Sequence, residues 1–105
     1  MTANSTMTLE VALPPEQAEA AVFQAFTNAG LAQVRGGGGL MHGTVSVSLF
    51  SWGEDVQATI AHGPHGAQVH LRSVCTLPTI LFDFGKNSRN LTKISTALRA
   101  IAPVV

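Results

Sequence analysis

The stretch "EDVQATIAHGPHGAQVHLRSVC", residues 54–75, decides the fold. Val56, Ala58 and Ile60 alternate with Gln57 and Thr59 on one side of "GPHG", and Val69 and Leu71 alternate with His70 and Arg72 on the other. Period-two alternation on both sides of a Gly/Pro turn is the signature of a β-hairpin with one buried face. With Gly63–Gly66 as the loop, Ile60 stands opposite Val69, Ala58 opposite Leu71 and Val56 opposite Ser73. The preceding stretch "TVSVSLFSWGE" extends the pattern upstream. If Ser51–Glu54 is a second four-residue loop, Phe50 faces Asp55, Leu49 meets Val56, Val47 meets Ala58 and Val45 meets Ile60. The two hairpins then share the rows Val45–Ile60–Val69 and Val47–Ala58–Leu71. A slip by one residue would turn the apolar set to the other side of the sheet.

The opposite side carries Thr44, Ser46, Ser48, Gln57, Thr59, Gln68, His70 and Arg72, with Arg72 the one formal charge in that strip. A sheet that is apolar on one side and rich in hydroxyls and amides on the other is covered by helices on one face only. The flanks supply two covers. In "PPEQAEAAVFQAFTNAG", Pro15 suits the first helical position, Glu16 and Glu19 favour the N-terminal dipole, and Asn28 and Gly30 close the helix. Its stripe is Ala18, Val22, Ala25, Phe26 and Ala29; a C-terminal helix repeats the spacing with Leu91, Ile94, Leu98 and Ile101, and Pro103 ends it.

The expected architecture is α+β, a two-layer β-α-β-β-β-β-α domain with an antiparallel sheet and both helices on one face. Strands are predicted near 7–13, 31–35, 41–50, 55–62 and 67–75, helices near 15–29 and 86–102, and "MTANST", residues 1–6, reads as a disordered start to a single domain over 7–105.

Six basic and six acidic residues cancel, which argues against nucleic acid as a partner, because phosphate binding needs a surplus of Lys and Arg. Charged residues make up only 11% of the chain, so little long-range repulsion opposes self-association. A lone Cys75 excludes an internal disulfide and fits a reducing compartment. With no leader-like opening and no apolar run approaching about 18 residues, the chain reads as cytoplasmic, with no membrane partner.

Two segments stand out as motifs. "SWGEDV", starting at Ser51, and "FDFGKNSRNL", starting at Phe82, together resemble a family of small, uncharacterised bacterial domains. Its members carry a Ser-Trp-Gly turn between strands and an Asp-(Trp/Phe)-Gly-Lys-Asn segment at the start of the last helix. The resemblance spans Met7 to Ile101, with Phe84 where tryptophan is the commoner residue. It implies the fold and transfers no catalytic residue. The element order is also similar to the TATA-binding-protein-like fold, which includes helix-grip ligand carriers.

Candidate chemistry is sparse. "GGGG", Gly36–Gly39, lacks the Lys-Ser/Thr of a phosphate loop and reads as a hairpin turn. Lys86, Asn87 and Arg89, with Gly85 and Ser88, stand at a helix start where backbone N–H groups and two cations could hold an anion. The plainer reading is a cap in which Asp83 or Asn87 satisfies those donors. His42, His62, His65 and His70 show no zinc spacing, Cys75 has no partner histidine, and no serine sits in a nucleophile elbow. The expectation is therefore a non-catalytic binding or interaction module without cofactor or metal. It self-associates as a dimer through Ser46, Ser48, Gln57, Thr59, His70 and Arg72. The alternative is a carrier of a small apolar ligand held between the sheet and the C-terminal helix, where Ala25, Ala58 and Ala97 would leave space.

Overall fold

A computed structural model describes residues 4–45, 53–75 and 85–105. The order is β1 (Asn4–Val11), α1 (Pro15–Asn28), β2 (Ala32–Gly37), β3 (Leu40–Val45), β4 (Glu54–Gly63), β5 (Gly66–Cys75) and α2 (Lys86–Arg99). The five strands form one antiparallel sheet in the order β1-β5-β4-β3-β2. Helix α1 lies over β2, β3 and β4, α2 over β1 and β5, and the helices pack against each other. This is the expected two-layer α+β arrangement.

The β4–β5 hairpin has the register read from its alternation: Ile60 pairs with Val69, Ala58 with Leu71 and Val56 with Ser73. Pairing continues to Gly63 and Gly66, so the turn tightens to Pro64–His65. Val56, Ala58, Val69 and Leu71 are buried beneath the helices with Val22, Phe26, Leu91, Ile94 and Leu98.

The β3–β4 register differs from expectation. Val45 pairs with Glu54 and not with Ile60, and Met41 and Gly43 take the places opposite Ala58 and Val56. Glu54, expected in a turn, is the first residue of β4 and is buried. Parity explains why the faces nevertheless agree. A displacement by an even number of residues leaves every side chain on its own side, so alternation cannot see it. The register is set at the other end, where the Ile60 N–H donates to the Gly39 carbonyl at 2.8 Å. The rows assigned to Val47 and Leu49 lie outside the described residues, as do Trp52, Asp83 and Phe84.

Three smaller corrections have local causes. The chain is ordered into β1 from Asn4, because residues 4–6 pair with Arg72–Val74 of the long β5. Ile101 is exposed, since α2 ends at Arg99 and the stripe loses its helical phase there. Glu19 does not serve the N-terminus of α1: its Oε2 accepts the Gly39 N–H at 2.8 Å and ties the helix to the β2–β3 turn. That turn, Gly38–Gly39, has φ of +64° and +88°, the left-handed pair a two-residue hairpin requires.

Gly43 is a packing requirement that composition alone hides. A Cβ there would stand 2.8 Å from Leu31 Cδ2 and 3.1 Å from Phe26 Cδ2. Gly43→Ala should therefore cost about 1–3 kcal/mol through overpacking under α1, read as a lower denaturant midpoint at unchanged slope. An unchanged midpoint would show that Leu31 moves aside freely.

Candidate functional site

Two polar regions remain once the apolar core is filled. The first is buried and joins the two motif segments. Glu54, Ser73, Asn87 and Asn90 are all withdrawn from solvent where β4 and β5 pass under the first turns of α2. The Asn90 Nδ2 donates to Glu54 Oε1 at 2.9 Å and to Ser73 Oγ at 3.2 Å. Ser73 Oγ donates to Asn87 Oδ1 at 2.7 Å, and Asn87 Nδ2 reaches Cys75 Sγ at 3.5 Å. Buried polar groups persist when such partners satisfy them, because an unmet one costs the full desolvation penalty. "GED" and "KNSRN" thus meet through a carboxylate and two amides. Cys75, expected to pack as a lone thiol, packs at the edge of this cluster.

The arrangement revises the anion site read at the start of α2. Asn87 is fully buried and turned into the cluster, whereas Lys86 is half-buried and Arg89 exposed, so the Asn87 amide is engaged away from the two cations. Asn87 does not cap the helix either. The N-cap is Gly85, in the left-handed region at φ +77°. Asn87 and Asn90, at i and i+3, carry polarity on the face α2 turns inward, which an apolar-periodicity search passes over.

The second region is the open face of the sheet. The register places Thr6, Arg72, Gln57, His42 and Arg35 in one row across all five strands. The neighbouring rows hold Asp55 beside Thr44, and Thr59 beside His70 and Thr8. Gln57, Thr59, Gln68, His70 and Arg72 are exposed as expected, whereas Ser46 and Ser48 lie outside the described residues. The face is more charged than the strip read from the sequence, because Arg35, Asp55 and Glu10 join Arg72 on it. Arg35 and Asp55 were missed because they sit where loops were expected to begin or end.

Arg35, His42, Asp55, Gln57 and Arg72 line a recess of about 280 Å³ on this face. Arg35 donates to the Gln33 carbonyl at 2.9 Å, and Thr8 Oγ1 and His70 Nδ1 are 2.9 Å apart. Gln68 donates to Glu10 Oε1 at 3.0 Å, while Glu10 Oε2 is buried without a hydrogen-bond partner. A second recess, of about 450 Å³, lies between the start of α1 and the glycine turn, beside Glu16, Glu19 and His62. Neither recess is lined by α2, and Ala25 and Ala58 are fully buried in the continuous core. Among the described residues no three His, Cys, Asp or Glu side chains gather as metal ligands, and no helix is long and apolar enough to cross a membrane.

The class this geometry defines is an α+β domain with one face of its sheet backed by helices and the other open. The same fold occurs in the crystal structure of Ara h 8.0201, with a TM-score of 0.50 and 11% identity over 95% of this chain and 97% of that one. At that identity the likeness concerns fold alone. No family model and no curated protein matches the chain.

Proposed function

We propose that the protein is a non-catalytic interaction module that pairs with a second copy of itself through the open sheet face. The observation that supports this reading is the balance of charge on that face. It carries Arg35 and Arg72 against Asp55 and Glu10 among neutral hydroxyl and amide groups, so it complements itself. A homodimer interface about a two-fold axis requires that property, since each patch meets its own copy. A two-fold running along the strands between β4 and β5 sets one copy's Arg72 over the other's β4, one row from Asp55.

Gln57 and Thr59 lie beside that axis, exposed and away from the core. Gln57→Arg with Thr59→Arg should set one new cation against the other copy's Arg72 and another against its His70, and so split the dimer while leaving thermal unfolding of the monomer unchanged. Sedimentation of both forms at micromolar concentration decides the matter. A monomeric parent protein, or a double variant that stays paired, removes the face as the interface.

A further inference from the structure

The two edges of the sheet are built differently. On the β2 edge the register is broken between Ala32 and Arg35, Gln33 sits at φ +54°, and the strand carries Arg35 before running into glycine. Irregularity, charge and a short strand are the devices by which edges resist pairing. On the β1 edge pairing to β5 runs unbroken from Asn4 to Val11. Ser5–Leu9, "STMTL", holds no charge, proline or glycine and includes two β-branched threonines, a composition that favours strand pairing.

The C-terminal segment shows which groups point outward. Val11 bridges Val104, the Ala12 N–H donates to the Pro103 carbonyl at 2.8 Å, and the Val105 N–H donates to the Glu10 carbonyl at 2.8 Å. A residue's own N–H and C=O point to the same side of a strand and alternate along it. Glu10 and Ala12 face outward, so Thr8 and Thr6 do as well. Among the described residues their four backbone groups have no partner along the edge, and the cap formed by 103–105 stops short of them.

We infer that β1 is a second association surface, on which Thr6–Thr8 pairs antiparallel with the same segment of another copy to make a continuous ten-stranded sheet. A two-fold at Met7 sets Thr6 opposite the other copy's Thr8, outward residue to outward residue, and keeps each copy's C-terminal cap clear of the other's Thr6–Thr8 window. No charged residue lies between Ser5 and Leu9, so no like charges meet. A ladder adds main-chain hydrogen bonds at little cost in area, and it sets two open faces side by side.

The inference stands apart from the face reading and is tested with the face disabled. In the Gln57→Arg/Thr59→Arg background, sedimentation at sub-millimolar concentration should show a dimer. Adding Thr6→Pro should return it to monomer, because proline removes an outward N–H and no bond to β5. Amide exchange at Thr6 and Thr8 in the same background should slow as concentration rises, a readout that needs no edge mutation. A monomer at every concentration, or concentration-independent exchange at both amides, overturns the proposal and leaves the face reading standing.

Discussion

Leu71→Ala and Leu98→Ala should each lower the free energy of unfolding by about 2–5 kcal/mol, the range for truncating a leucine in a closed core. Leu71 is completely buried at the middle of β5, in register with Ala58 on one side and Met7 on the other. Leu98 is buried in the last turn of α2, in the same cluster as Val11 and Leu91. Small neighbours limit collapse around either gap. Ala58 and Ala67 cannot extend into the space, and the backbone of β5 is held by ladders on both sides. Chemical denaturation with an unchanged slope measures the loss directly. Midpoints within error of the parent for both variants would sink the packing scheme.

The second large effect is expected at the buried polar cluster. Asn90→Ala removes the donor shared by Glu54 Oε1 and Ser73 Oγ and leaves a buried carboxylate with one bond fewer. Orphaning a buried partner costs about 1–3 kcal/mol, and more when it is charged, so the loss should exceed that of an ordinary surface Asn→Ala several-fold. Glu54→Ala should lose a comparable amount from the other side. Glu54→Gln keeps an Oε1 acceptor for Asn90 and should lose less than Glu54→Ala. Ser88→Ala, on the exposed side of the same helical turn, supplies the baseline. Equal midpoints for Asn90→Ala and Ser88→Ala would mean that water replaces the lost bonds and that the cluster contributes little.

These losses also bear on how the two motif segments act. The clasp between β4 and the start of α2 is made by residues far apart in the chain, Glu54 and Asn90. Glu54 and Asn90 therefore have a structural use in this protein, which is to seat α2 on the sheet. Neither the open face nor the β1 edge includes this cluster.

The sequence by itself determined the element order, the stripe of α1, the register of the β4–β5 hairpin and the sidedness of the sheet. Each rests on a periodicity or a turn signal confined to a few adjacent residues, where local sterics and burial act together. Three things were decided only by tertiary structure. The β3–β4 register is invisible to alternation, because displacement by an even number of residues leaves the faces unchanged, and the contact between Ile60 and Gly39 settles it. The use of Glu54, Asn87 and Asn90 inside the fold was hidden because polar residues read as surface until their partners are known, and those partners lie on other elements. The charge balance of the open face became visible only when the sheet placed Arg35 and Arg72 in one row, since strand neighbours in space are set by pairing and not by distance along the chain.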